Sequence, residues 1–462
     1  MRRTMESRSS RGVVRPGSDL DRRTLVLPRS REHAGGGGHR GSDPGQTKNT
    51  PADRKHDRRN RTRVQNVRGE GDRGMSIEII ARGSGPVWSA PVGPAAQQPP
   101  WPGHRARRFR ERLAALPGLV TADEVDGLRS ALAEVAAGGR LVLQAGDCAE
   151  PFAECTPHHL ARKAALLDRL ARALGRGRPV ARVGRIAGQF AKPRSRPTEV
   201  VDGVELPVYR GDLVNAPQAD ARARRADPAR LVAGYHAARA ATEFLRGGGP
   251  WTWTSHEALV LDYELPLVRR DERGRVFLAS THWPWIGDRT RDLGGAHVEL
   301  LASVANPVAC KVGPGMRPDE LVALCERLDP DRVPGRLALI ARLGAERVSA
   351  LLPPLVAAVR AAGHPVIWLC DPLHGNTVVD ADGHKTRFVD AVAREVVDFR
   401  AAVRSAGAVA GGLHLETSPE QVGECRWNGS ATRSGPRTTL CDPRLNPWQA
   451  LAVVAAWHAA DF

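Results

Sequence analysis

The sequence predicts an α/β protein whose centre is a closed, eight-stranded parallel barrel. Three observations carry that prediction. About eight short apolar runs recur along the chain, of the length and composition of strands buried on both faces. Most of them end in a glycine, an ionisable side chain or both. Segments with a helical apolar period lie between them, and a strand-then-helix alternation argues for a parallel sheet, which eight repeats can close into a (β/α)₈ or TIM barrel.

The 462 residues suffice for one large domain with appendages. Of the formal net charge of +17, +10 falls in residues 1–74, which hold 19 Lys/Arg against 9 Asp/Glu. That stretch also contains the Gly35–Gly38 run and no sustained apolar period, so it is expected to be a disordered basic tail. Such a tail suits an anionic partner, but it lacks the interleaved aromatics that stack on bases, and nucleic-acid binding is not the favoured reading. The blander readings are an inert tail, or a start assigned too early, with Met75 the true one. Residues 75–138 are expected to be an extended segment followed by helices over Arg107–Leu116 and Thr121–Ala137, the second opened by a Thr121/Glu124 capping box. Residues 139–462 are expected to form the barrel.

Within the barrel the strands are expected at Leu141–Gln144, Val180–Val183, Thr252–Glu257, Val276–His282, Val308–Lys311, Leu337–Ile340, Val366–Leu369 and the run through Gly411-Gly412-Leu413. Helices are expected at His158–Leu174, from Asp227-Pro228 to Leu245, and at Pro318–Leu328, Ala345–Ala362, Phe388–Ala406 and Pro447–Trp457. An open doubly wound sheet is the second architecture, but no Gly-rich phosphate loop follows an early strand. The seven cysteines form no CxxC pair and fit neither a disulfide framework nor a zinc ribbon, so a reducing cytoplasm is expected. No apolar stretch is long enough for a membrane-spanning helix.

Two groups of strand-end residues carry chemistry. Cys148, His374, Glu416 and Asp442 together offer a thiolate, an imidazole and two carboxylates, which suits a borderline divalent ion. Each alone also fits a structural role, since a lone Cys is usually a small buried hydrophobe and a His or Glu can cap a loop. Arg185, Lys192, Arg194, Arg289, Lys311 and Arg342 are cations, and a guanidinium fork matches phosphate or carboxylate oxygens in pairs. Arginine is abundant here, so some are simply solvated. Arg185, Lys311 and Arg342 stand in apolar contexts where an unpaired charge is costly, which implies an anionic ligand. Ser195, in Lys192-Pro193-Arg194-Ser195, adds a hydroxyl to a stiffened basic segment.

The segments Gln144–Glu150, Arg185–Ser195, Thr254–Leu259, Trp285–Arg291, Lys311–Gly315, Ile340–Arg342, Cys370–Thr377, Gly412–Glu416 and Cys441–Arg444 resemble, in order, the type II 3-deoxy-D-arabino-heptulosonate-7-phosphate (DAHP) synthases. The resemblance spans about residues 100–460. It implies a metal-dependent barrel that condenses phosphoenolpyruvate with erythrose 4-phosphate, the first step of the shikimate pathway. It implies Cys148, His374, Glu416 and Asp442 as metal ligands, with Mn²⁺ the first candidate and Co²⁺, Fe²⁺ or Zn²⁺ the others. Arg185, Lys311 and Arg342 would hold phosphoenolpyruvate, Arg289 would lie between the substrates, and Lys192, Arg194 and Ser195 would hold the sugar phosphate. By residue type, Lys311 is a candidate proton donor, and Glu257 or Asp288 a candidate for orienting the attacking water.

The chain departs from the family pattern at Ala145 and Phe190, where Gly and Tyr are more usual. Only Arg246–Pro250 separates a helix from the strand that follows, where longer members insert helices that help bind aromatic amino-acid inhibitors. A short-form enzyme insensitive to Phe, Tyr and Trp is therefore expected, with a homodimer as its assembly. Two further readings stand beside this one. Some short relatives resemble aminoDAHP synthases, which use an imino analogue of the sugar phosphate, and a degenerate barrel could serve only for binding. Cys441 adjoins Asp442 and is expected near Cys148, which would permit an oxidative link between them.

Overall fold

The computed structural model describes residues 93–247, 249–428 and 435–459. The basic segment 1–74 and the alternative start at Met75 lie outside the described residues. Within them, eight strands close a parallel barrel in chain order. These are β1 (Leu141–Gly146), β2 (Val180–Arg185), β3 (Trp253–Glu257), β4 (Trp283–Ile286), β5 (Val308–Val312), β6 (Leu337–Ala341), β7 (Ile367–Cys370) and β8 (Ala410–Glu416). β1 closes the ring by pairing with both β2 and β8.

Seven of the eight strands fall on the expected runs. The fourth does not, and this corrects the sequence reading: Val276–Leu278 pairs antiparallel with Val268–Arg270 in a two-stranded ribbon outside the barrel. The barrel strand is the next segment, Trp-Pro-Trp-Ile, buried along its whole length. A proline is uncommon within a central strand. Pro284 stands opposite His256 of β3, and pairing with β5 begins only at the next residue, with Trp285 opposite Ala309.

The helices are α1 (Gly103–Ala114), α2 (Ala122–Ala136), α3 (Pro157–Gly175), α4 (Arg230–Gly247), α5 (Ala296–Ser303), α6 (Pro318–Leu328), α7 (Val348–Ala361), α8 (Val389–Ser405) and α9 (Pro447–Ala456). The first begins four residues earlier than expected, and α5 had no counterpart among the expected helices. Thr121 and Glu124 close the expected capping box at the start of α2. α2 buries Leu128, Leu132 and Val135 among Val142, Ala181, Ala338 and Ile367, at or near the amino ends of their strands, and so covers that end of the barrel. The outer faces of the strands, through residues such as Leu141, Leu143, Leu337 and Leu339, pack on the surrounding helices in one continuous core.

The closure places chemistry at the opposite end. Gly146 faces Arg185 on one side and Glu416 on the other. A Cβ at Gly146 would stand 2.6 Å from the Arg185 carbonyl oxygen, so the close approach of these strand ends requires glycine.

Candidate active site

At the carboxyl ends of the strands a single cavity is lined by Cys148, Arg185, Lys192, Arg194, Ser195, Glu257, Asp288, Arg289, Lys311, Arg342, His374, Glu416 and Asp442. Every site residue singled out from the sequence therefore reaches one space. Gln189, Trp285, Gly287 and Lys385 line it as well. Gln189 lies in the Arg185–Ser195 segment that follows β2, between residues that were singled out, whereas Lys385 sits on a small hairpin that ends no barrel strand, so no strand-end pattern could have marked it.

One wall is anionic. Cys148, Glu416 and Asp442 are buried, and their donor atoms lie within 4.8 Å of one another. His374 joins them less directly, with Nε2 3.2 Å from Glu416 Oε1 and Nδ1 2.7 Å from Asp371 Oδ2. Asp371 escaped the sequence reading although it stands next to Cys370 in a strand-end motif. The Lys192 ammonium reaches into the middle of the cluster, contacting Cys148 Sγ, Asp442 Oδ2 at 2.5 Å and Glu416 Oε1 at 3.5 Å. The donors thus already converge on a cation. Burial pushes the Cys148 thiol up, whereas Lys192 and Arg387 hold the Asp442 carboxyl below the usual range against burial. A soft thiolate with carboxylates and an imidazole beside it fits a borderline divalent ion, and this is a possible metal site.

Arg387, on the hairpin strand Lys385–Arg387, is fully buried and donates to Glu416 Oε2 at 2.8 Å. Lys385 pairs with Asp442 Oδ1 at 2.9 Å. Behind this wall, Arg444 bridges Asp147 at 2.7 Å and Glu424 at 2.9 Å. Because Asp147 precedes Cys148 and Arg444 follows Asp442 by two residues, that buried clamp ties the two donors' backbones together. Cys441 packs against Cys148, and all seven cysteines are free.

The facing wall is cationic. Arg185 is buried, lies over the Trp285 ring and donates to the Asp147 carbonyl, His414 Nε2 and Glu416 Oε1. Lys311 is ion-paired with Asp371. Burial lowers Lys311 to about 8, opposed by Asp371 and reinforced by Arg185. Arg342 donates to Asp288 Oδ2 at 3.0 Å, and Arg291 takes the other oxygen, Oδ1, at 2.9 Å. Arg289 donates to Ser195 Oγ at 2.8 Å, joining the segment after β4 to the one after β2. Arg194 is held by Glu199 at 3.1 Å.

The family profile described as the class-II DAHP synthetase family matches residues 88–249 and 250–457. The chain belongs to the class-II DAHP synthetase family. It is 55% identical over 383 residues to a probable phospho-2-dehydro-3-deoxyheptonate aldolase of Pseudomonas fluorescens, covering 79% of this chain and 95% of that one. It is 39% identical over 419 residues to the phospho-2-dehydro-3-deoxyheptonate aldolase of Streptomyces coelicolor, covering 78% and 93%. The corresponding enzyme of Mycolicibacterium smegmatis is 37% identical over 428 residues, covering 79% and 92%.

Within this family fold the two candidate water-orienting carboxylates separate. Both oxygens of Asp288 are taken up by arginines. Glu257 Oε1 is buried without a hydrogen-bond partner, and burial pushes its carboxyl up. A Cβ at Gly287 would stand 2.1 Å from that oxygen, so glycine there leaves the room Glu257 occupies.

Proposed function

We propose that this chain is a 3-deoxy-7-phosphoheptulonate synthase, a transferase. It condenses phosphoenolpyruvate, D-erythrose 4-phosphate and water to DAHP and inorganic phosphate, at the head of the shikimate pathway to chorismate and the aromatic amino acids. The observation that carries this is the single cavity in which the cations of one wall face the thiol–carboxylate cluster of the other. Two anionic substrates and a divalent ion together satisfy both walls.

Arg185, Lys311 and Arg342 hold the phosphate and carboxylate of phosphoenolpyruvate, with Arg185 prearranged by its three hydrogen bonds. Lys192, Arg194 and Ser195 hold the sugar phosphate, and Arg289 spans the two sites through Ser195. Cys148, His374, Glu416 and Asp442 hold a divalent metal, Mn²⁺ first and Co²⁺, Fe²⁺ or Zn²⁺ otherwise, which supplies Lewis acidity toward the sugar's aldehyde oxygen. The methylene carbon of phosphoenolpyruvate attacks the aldehyde carbon. Lys311, with a pKa of about 8, delivers a proton near neutrality to the former aldehyde oxygen, which becomes the new hydroxyl. Glu257, which lines the cavity, orients the water that adds to the phosphate-bearing carbon before phosphate leaves. Asp288 instead fixes Arg342.

The free cysteines support a reducing, cytoplasmic setting, and a homodimer is the proposed assembly. Among the described residues no helix is long and apolar enough to cross a membrane.

The test is the ultraviolet absorbance of phosphoenolpyruvate with EDTA-stripped protein, before and after adding Mn²⁺, with and without erythrose 4-phosphate. The expected result is loss of signal that requires both additions. No loss with erythrose 4-phosphate, but loss with its imino analogue, would replace this reading with an aminoDAHP synthase. No loss with either acceptor would leave a barrel that only binds.

A further inference from the structure

Barrel interiors are normally filled by branched apolar side chains. Here a line of polar groups crosses that interior directly beneath the cavity. Arg185 at the end of β2 donates to His414 Nε2 on β8 at 2.7 Å, and His414 Nδ1 meets Gln144 Oε1 on β1 at 2.5 Å. Gln144 Nε2 donates to Ser255 Oγ on β3 at 2.6 Å, and Ser255 donates to the Trp283 carbonyl of β4 at 2.5 Å. Gln144, Ser255 and His414 are completely buried, and Arg185 is nearly so.

Chemistry fixes the direction of every link. A guanidinium can only donate and a backbone carbonyl can only accept. His414 Nε2 must therefore carry the lone pair, and Nδ1 the hydrogen given to Gln144. Turning the Gln144 amide over would set its NH₂ against that hydrogen. A hydrogen on Nε2 would set donor against donor at Arg185. The line thus runs one way, donor to acceptor, across residues of five of the eight barrel strands, and its far end is anchored on main chain.

We propose that His414 is a positioning residue for phosphoenolpyruvate binding: the hydrogen-bond line from Trp283 through Ser255 and Gln144 holds it as the Nδ1–H tautomer, so that Nε2 accepts from Arg185 and aims the guanidinium into the cavity. The inference rests on the proposed function for the ligand, and on the hydrogen-bond geometry alone for the tautomer. Trp285 completes the seat, with Arg185 5.2 Å from its ring centroid and His414 edge-on to it at 5.3 Å. With Nε, one Nη1 hydrogen and one Nη2 hydrogen engaged by the protein, two of the five guanidinium N–H groups remain for a substrate oxyanion.

The experiment is calorimetric titration of phosphoenolpyruvate into the full-length, Mn²⁺-loaded protein without an acceptor, so that binding is read without turnover. Three variants are compared with the wild type. His414→Gln can accept from Arg185 and donate to Gln144, and so preserves the direction of the line. His414→Leu removes both links, and Gln144→Leu frees the tautomer while leaving His414 in place. His414→Leu is expected to weaken the phosphoenolpyruvate Kd by about tenfold or more, His414→Gln by no more than about threefold, and Gln144→Leu to fall between. The KM for erythrose 4-phosphate is expected to stay near the wild-type value in all three. A purely structural role would lower the fraction of competent protein and the Tm while leaving Kd unchanged.

Nitrogen-15 spectra of metal-stripped protein, with the His414 signal identified by its disappearance in His414→Gln, are expected to show a protonated Nδ1 and an unprotonated Nε2. In Gln144→Leu that signal is expected to move toward a tautomer mixture. Unchanged phosphoenolpyruvate affinity in His414→Leu overturns the proposal, as does a glutamine variant as weak as the leucine one, or a protonated Nε2. Should His414→Leu fail to fold, Gln144→Leu and the spectra decide the matter. A wild type that does not bind phosphoenolpyruvate at all would instead overturn the proposed function and leave the tautomer result standing.

Discussion

Asp371→Asn isolates the proton held on Lys311. In the wild type the two side chains form a buried ion pair, and burial of the ammonium outweighs the attraction of Asp371, leaving Lys311 at about 8. Removing the carboxylate charge takes away the strongest attraction that favours the protonated amine. Two unit charges about 4 Å apart interact by roughly 4 kcal/mol at an effective dielectric of about 20. Asparagine keeps part of the hydrogen bonding, and His374 shares the same carboxylate, so about 1 to 3 pKa units of that survive as a shift. Lys311 then titrates between about 5 and 7, and at pH 7.5 it is mostly neutral. The alkaline limb of kcat/KM for phosphoenolpyruvate should move down by the same interval. The assay is a pH–rate profile from about pH 5 to 9.5 at saturating Mn²⁺, so that disturbance of His374 does not enter. Activity lost equally at every pH, with the limb unmoved, would refute the assignment of the proton to Lys311.

Cys148→Ser should cost most of the metal affinity, because a buried hydroxyl replaces the softest donor of the cluster, with little change in Tm; direct metal titration of stripped protein checks the first and thermal unfolding of the stripped protein the second. Arg342→Ala should weaken phosphoenolpyruvate binding by about 2 to 5 kcal/mol, since it removes a charged partner and leaves Asp288 Oδ2 unpaired beside the cavity; calorimetry reads it without turnover. Glu395 is buried, accepts from the amides of Leu343 and Gly344, bonds Asn376, and is raised by burial to about 8. Because its folded pKa lies above the unfolded one, its stabilisation is complete below about pH 4.5 and is lost as pH rises toward 8. Glu395→Gln should flatten a decline of up to a few kcal/mol in denaturant-unfolding stability over that window. Phe, Tyr and Trp at sub-millimolar concentration should leave the steady-state rate unchanged, given that five residues join α4 to β3; strong inhibition by any of them would contradict this.

Much of this was legible in the chain because parallel barrel strands, buried on both faces, read as short apolar runs, and because an active site at their carboxyl ends puts chemistry just after each run. Leu337–Ile340 followed by Arg342, and Val308–Lys311 with its own terminal lysine, are visible without any tertiary information. So are the Thr121 capping box and the helix starts at Pro318 and Pro447, which depend on neighbours three or four residues away. The fourth strand was missed because Trp283–Ile286 contains a proline, while Val276–Leu278 has no such interruption and pairs elsewhere.

What each polar group does depended on partners far along the chain. His414 and Gln144 are separated by 270 residues, and Arg444 and Asp147 by 297. Nothing local distinguishes Glu257, with a free buried oxygen, from Asp288, with both oxygens held by arginine. The sequence by itself determined the number of strands, most of their positions and the residues at their ends, since burial and capping act over a few residues. Only the closed barrel decided which of those residues meet, which way their hydrogen bonds run and which charges are compensated, because electrostatics and hydrogen bonding act between groups that ring closure alone brings within about 3 Å of each other.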